Sequence, residues 1–245
     1  MENPKLREQG YLPVAELKAR REYELERGIS FPELVRGSVA LHTVALTFDD
    51  GPHQDYTPKL LDSLQKLHVT ATFFVVGTQV DRYPQLVQQE AAAGHEVANH
   101  TYHHLRLASI PTRLIEPELR EGAQAIERAI GTPTRLYRPP GGEYDPDVIE
   151  ATKQLGYVMV LWTDDPGDYL HPGKTIIEDR VLRDISDGSV ILLHDGVQQT
   201  IDMLPDLVGR LRARGFNFVT CTQMALERGV LKNGGPTVRP ETPPR

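Results

Sequence analysis

The chain has 245 residues, 39% of them apolar and 25% charged, the composition of an ordinary soluble globular protein with ample length for a sizeable core. A net charge of −7, with no basic cluster interleaved with aromatics, argues against a nucleic-acid binder. The single cysteine, Cys221, rules out an internal disulfide, and no apolar run is long enough to span a bilayer. Residues 1–30 are too charged for a signal peptide, so the chain is either cytoplasmic or follows a removed targeting segment.

The first 39 residues read as a helical extension: Ala15–Arg27 carries Glu and Lys/Arg at helical spacing, with Leu17, Tyr23 and Leu25 as sparse apolar contacts. The apolar run Val44–Phe48 reads as a buried strand that ends on Asp49 and Asp50 before Gly51-Pro52 stops it. A helix over Pro58–Leu67, a strand over Ala71–Val76 and a helix over Tyr83–Ala93 closed by Gly94 follow. The spacing then predicts a short strand at Glu96–Ala98, a helix ending at Ile130 with Pro117 at its first turn or a kink, and a strand at Leu136–Arg138. Asp145-Pro146 caps a helix that Gly156 ends, and Val158–Trp162 is a strand. Thr175–Asp187 reads as a helix with a Thr175/Glu178 capping box. Strand Val190–Leu193, helix Thr200–Arg214 and strand Phe216–Val219 complete the series, with Cys221 as a small core residue. Residues 231–245 form a Pro-rich tail. Repeated β-then-α order implies a parallel sheet with crossover helices, and about seven such units suit a distorted or incomplete (β/α) barrel over residues 40–230.

In such barrels the chemistry sits where strands end, and the reactive residue types of this chain collect there. Neighbouring side chains of an extended segment point opposite ways, so Asp49 and Asp50 are expected to meet different surroundings; read alone, Asp-Asp-Gly-Pro is more often a plain acidic turn. In the run His100-Thr101-Tyr102-His103-His104, a helical turn would place His100 and His104 on one face, able with Asp50 to hold one ion. A His₂Asp set with an open position suits catalytic zinc. His103 is expected to point away, and His95 to satisfy a turn. In Arg138-Pro139-Pro140-Gly141-Gly142, Arg138 offers a planar fork that could orient Asp49, and the glycine turn a backbone N–H for a substrate oxygen; a plain turn with a surface arginine is an equal reading. Trp162–Tyr169 supplies acids and aromatics suited to a sugar ring, although Trp162 also fits a core position. His194, at the end of an apolar strand, is a candidate acid/base.

Taken in order, TFDDGP, HTYHH, RPPGG, WTDDPGDY and LLH resemble the polysaccharide deacetylase family, also called carbohydrate esterase family 4 or the NodB-homology domain, over residues of about 40 to 228. The resemblance implies a distorted (β/α) barrel that removes N-acetyl, or sometimes O-acetyl, groups from glycans with one divalent ion, zinc by default and cobalt as a replacement. It implies Asp49 as general base, Asp50, His100 and His104 as metal ligands, Arg138 holding Asp49, His194 as general acid and Asp168 tuning it. It further implies a substrate surface of Pro140, Gly141, Trp162, Tyr169 and Leu192, the last lining the acetyl-methyl pocket. Two positions depart from the family pattern: Gly141 stands where an aromatic is usual, and Tyr169 where Trp is usual. Glycine keeps the backbone N–H but removes a wall, which predicts a wider groove at the reacting sugar.

The function implied is N-deacetylation of an N-acetylglucosamine-containing glycan, chitin oligosaccharide or peptidoglycan. The separate acid favours amides, whose nitrogen leaves poorly without a proton. O-acetyl esterase action on acetyl-xylan, hydrolysis of a small non-glycan amide and silent sugar binding are the rival readings. An acetylated glycan is the expected partner, in a secreted or cell-envelope setting by the family resemblance, with oligomeric state left open.

Overall fold

The computed structural model describes residues 10–231; most of the expected Pro-rich tail and the start of the N-terminal extension lie outside them. In chain order the elements are α1 (Val14–Glu26), β1 (Glu33–Leu34), β2 (Thr43–Asp49), α2 (Thr57–Leu67), β3 (Thr72–Val75), α3 (Gly77–Arg82) and α4 (Pro84–Ala92). These are followed by β4 (Glu96–Asn99), α5 (Ile115–Ile130), β5 (Leu136–Tyr137), α6 (Pro146–Gln154) and β6 (Val158–Val160). The chain continues through α7 (Lys174–Asp184), β7 (Ser189–His194), α8 (Gln198–Ala213), β8 (Asn217–Phe218) and α9 (Cys221–Glu227).

Every residue of β2 is buried, as a central parallel strand requires. It lies between β3 and β7 in a sheet ordered β1-β6-β5-β4-β3-β2-β7, all neighbours parallel, and β8 pairs with its first two residues. The two faces of β2 alternate. Val44, Leu46 and Phe48 pack with Leu60, Leu64, Leu204 and Leu207 of the outer helices, while Ala45 packs inward with Phe74, Ala98 and Leu192. The edges of the sheet are brought together without a continuous ladder: Thr163 N–H donates to Val190 O (3.0 Å), Leu192 N–H to Asp164 O (2.9 Å) and Gly37 N–H to Gly188 O (2.8 Å). The fold is therefore the incomplete (β/α) barrel that the alternation predicts.

Several local expectations are corrected. The single helix expected over Tyr83–Ala93 is preceded by a separate α3, and Pro84 opens α4, since proline suits a helix's first position and cannot continue the preceding one. Strand β1 was not anticipated, because two residues carry no periodicity. The capping box expected at Thr175/Glu178 is absent: α7 starts one residue earlier with Gly173 as its cap, and the capping box of this barrel is Thr220/Gln223 on α9. Cys221 opens α9 fully buried, and burial pushes its thiol up to about 12.

The arm α1 is held by fewer apolar contacts than expected. Leu17 is buried, but Tyr23 and Leu25 are 52% and 59% exposed. Polar anchors replace them: the Tyr144 hydroxyl donates to buried Glu24 (3.1 Å), the Arg20 guanidinium lies 3.7 Å from the Tyr144 ring centroid, and Arg21 pairs with Glu33. Among the described residues, no helix is long and apolar enough to cross a membrane.

Candidate active site

Four strand ends deliver the reactive residues. Asp49 ends β2, His100 follows β4, Arg138 follows β5 and His194 ends β7, and all four are buried at the carboxyl edge of the sheet.

Asp49 and Asp50 do not face opposite ways as an extended segment would require. Asp50 has φ +73°, so the chain has left the strand there, and both carboxylates turn toward His100: Asp49 Oδ2 is 3.7 Å and Asp50 Oδ1 3.4 Å from its Nε2. The other oxygen of Asp49 is fixed. Arg138 Nη1 donates to Asp49 Oδ1 (2.6 Å) and to Thr47 Oγ1 (2.8 Å), while Nε and Nη2 donate to the carbonyls of Val160 and Leu161 (both 3.3 Å). The guanidinium thus meets the carboxylate through one nitrogen and spends the rest of its fork on backbone, with its carbon 4.1 Å from the Phe74 ring centroid.

The histidine run is a loop and not a helical turn. Thr101 and His104 have φ +65° and +60°, and Gly77 and Thr78 at the start of α3 donate to the carbonyls of Thr101 and Tyr102 (both 2.9 Å). These bonds fold the loop back so that His104 Nε2 reaches Asp50 Oδ1 at 3.0 Å. His103 points outward to Glu118, as expected, and His95 takes the Ala71 N–H (3.2 Å) in a structural role.

His100 Nδ1 lies 2.8 Å from the Arg138 carbonyl, which can only accept, so the ring proton sits on Nδ1 and the Nε2 lone pair faces the acids. One ligand atom each from Asp50, His100 and His104 falls within 4.8 Å of the others. Asp50 Oδ1, His100 Nε2 and His104 Nε2 are buried with no hydrogen-bond partner. Burial opposes ionisation of Asp50, but the facing His104 and His100 hold its carboxyl well below the usual range. Burial likewise works against a charged His104, and Asp50 raises it. Orphaned donor atoms of this type converging on one point fit a divalent cation.

On the other side stands His194, 1% exposed. Its Nδ1 is 2.7 Å from Asp168 Oδ1, and Asp168 is itself fixed by the backbone N–H groups of Tyr169 (2.9 Å) and His194 (2.8 Å) and by the Thr200 hydroxyl (2.6 Å). Burial alone would lower the His194 pKa; the Asp168 carboxylate, with Asp50 and Asp49 behind it, raises it to about 9. Its Nε2 has no partner.

The remaining expected residues are all buried. Tyr169 packs 5.2 Å from the His194 ring. Pro140, Gly141 and Leu192 are buried, and Trp162, also buried, backs the site. The groove expected to be open at Gly141 is crossed by Gly10–Pro13: Leu12 N–H donates to Gly141 O (3.0 Å), and the Tyr11 ring packs 4.8 Å from that of His194. Sequence reading missed Tyr11, since one tyrosine before a charged helix carries no motif. It also missed Thr47 and Thr200, whose hydroxyls serve residues far away in the chain.

Comparisons with known proteins give the family of the chain. The model of the polysaccharide deacetylase family matches residues 37–160. A peptidoglycan-N-acetylglucosamine deacetylase of Bacillus cereus is 38% identical over 186 residues, 74% of this chain and 87% of that protein. A chitooligosaccharide deacetylase of Sinorhizobium fredii is 38% identical over 195 residues, 74% and 91% of the two chains. A solved peptidoglycan N-acetylglucosamine deacetylase superposes with a TM-score of 0.77 at 32% identity, covering 82% of this chain and 94% of that one. The chain belongs to the polysaccharide deacetylase family.

Proposed function

We propose that the protein is a metal-dependent hydrolase that removes N-acetyl groups from an N-acetylglucosamine-containing glycan, a chitin oligosaccharide or peptidoglycan. The observation that carries this is the grouping of a three-ligand cation site, a carboxylate with one free oxygen and a histidine held charged by its own acid. The names of the relatives supply the glycan class. A wall glycan as substrate would place the working protein in the cell envelope.

Asp50, His100 and His104 would hold the cation, zinc by donor type. When bound it supplies Lewis acidity toward the acetyl carbonyl and lowers the pKa of water. Asp49 acts as base: Arg138 fixes Oδ1, leaving Oδ2 free beside the ligand set to take the proton of the attacking water. The family resemblance assigns the Gly141 N–H to the developing oxyanion, a contact of a type worth ~3–4 kcal/mol. His194, its Nδ1 held by Asp168, carries on Nε2 the proton that the departing amine needs. That separate acid favours amides over esters.

The test is acetate release from chitin oligomers, peptidoglycan, acetyl-xylan and a small acetamide, with and without chelator. Release from one of the first two, abolished by chelation and restored by zinc, is expected. Release from acetyl-xylan alone, or from a small amide alone, would overturn the reading.

Gly141 supplies a second check. Its φ of +69° belongs to the left-handed region, where a side chain costs about 1–2 kcal/mol. An added Cβ there would sit 3.5 Å from the Arg106 guanidinium and the Gly10 carbonyl. Gly141→Tyr should therefore keep the metal and lose kcat on every acetylated substrate, approaching the ~10²–10³-fold typical of a lost oxyanion donor. A change confined to KM would show that the turn accepts a side chain and that the backbone stays in register.

A further inference from the structure

Between the start of the described chain and α1, the segment Gly10–Pro13 lies over the site and is tied on both sides of Tyr11. Arg106 Nη2 donates to Gly10 O (2.5 Å) while the same guanidinium pairs with Glu143, and Leu12 N–H donates to Gly141 O (3.0 Å). Pro13 O then accepts the N–H groups of Glu16 (2.9 Å) and Leu17 (3.1 Å), joining the strap to the anchored helix. Tyr11 is 9% exposed, and its ring lies 4.8 Å from those of His194 and Tyr169 and 5.8 Å from Trp162. Burial raises the phenol well above its ordinary range, and of the neighbouring carboxylates Asp50 and then Asp49 add most.

Under that cover, Asp49 Oδ2, Asp50 Oδ1, His100 Nε2, His104 Nε2 and His194 Nε2 have no access to solvent. A sugar-borne acetamide has to place its carbonyl beside the ligand set and its nitrogen within about 3 Å of His194 Nε2. A buried tyrosine ring set edge-on 4.8 Å from that of His194 takes up space beside that nitrogen. We infer that Tyr11 is a built-in cover that occupies the subsite of the reacting sugar, so that substrate binds only after the Gly10–Pro13 strap is displaced. The inference rests on the glycan deacetylase reading for its substrate, but not for the cover itself. Every ligand that needs this subsite bears the cost, because apparent affinity falls with the fraction of open protein.

Trp162 is the only tryptophan of the chain and is 1% exposed against the edge of Tyr11, so it reports on the strap independently of turnover. The test compares full-length, zinc-loaded wild type with Tyr11→Ala and Leu12→Pro. The second variant removes the N–H bonded to Gly141 but keeps the phenol, and it decides the matter if the first fails to fold. Acrylamide quenching of Trp162 should rise at least about threefold in both, and kcat/KM on a short acetylglucosamine oligomer about tenfold, as removal of a mostly closed state requires. Unchanged quenching, or turnover that falls where quenching rises, would overturn the cover; the latter would make Tyr11 part of the working site. Raised quenching in both variants, with no acetate from any glycan, would uphold the cover and sink the deacetylase reading instead.

Discussion

Asp49→Asn should retain its metal and lose about 10²–10⁴-fold of kcat, whereas Asp50→Asn should lose the metal itself. Two adjacent residues of the same type part company because their oxygens are committed differently. Asp49 gives Oδ1 to Arg138 and keeps Oδ2 free, while Asp50 faces His100 and His104 through Oδ1. An asparagine at 49 can still accept from Arg138, but the amide has no basic oxygen where Oδ2 stood. It also leaves the buried Arg138 charge without its counter-ion, a change worth about 3 kcal/mol at the low end for a broken buried pair. The three hydrogen bonds from Arg138 to Thr47, Val160 and Leu161 remain, so the protein should fold with a lowered urea midpoint. Elemental analysis beside acetate release reads both variants. Metal lost from Asp49→Asn and kept in Asp50→Asn would reverse the assignment.

The second large effect is expected in the pH profile. With His194 raised to about 9, kcat/KM should hold through neutral pH and fall on the alkaline side as the ring loses its proton. A cation on the neighbouring ligands acts in the opposite sense to the carboxylates, so the limb belongs at or below 9. Asp168→Asn removes the charge that overcomes burial, and the ring pKa should then drop below its ordinary value of about 6.5. At pH 8 that variant should be at least about 30-fold slower, with its alkaline limb moved to lower pH. Stability follows the same linkage. A raised histidine pKa contributes stability fully present below pH of about 6.5 and lost as the pH rises through 9, so wild type should lose its advantage over Asp168→Asn across that window. Coincident pH profiles would show that another group is the titrating acid.

The residues proposed to bind and react were legible where their placement depends on local sequence. The apolar run before Asp49 can only be a buried strand, and its repetition with helices between fixes a parallel sheet whose carboxyl edge collects Asp49, His100, Arg138 and His194. Residue type then narrows the chemistry, since one acid and two imidazoles brought together suit a cation whatever loop joins them. The conformation of that loop was not legible. A helical turn and a doubled-back loop both bring His100 near His104, and the choice falls to Gly77 and Thr78, whose N–H groups at the start of α3 need the carbonyls of Thr101 and Tyr102. The same holds for Asp50, whose positive φ turns it to the side of Asp49 although a plain strand would separate them.

Gly141 shows the division most clearly. Sequence alone gave a missing side chain and hence an open groove. The barrel shows a left-handed turn whose carbonyl binds Leu12, with Tyr11 packed beside it on the ring of His194. No local pattern connects residues so far apart in the chain; they meet because α1 docks through Leu17, Glu24 and Arg21 and carries the strap with it. Hydrophobic periodicity and residue type, which act over a few positions, therefore determined the barrel and the ligand set. Closure of loops and of the arm over the site was decided by tertiary hydrogen bonds and ring packing, which exist only once distant segments have been brought together.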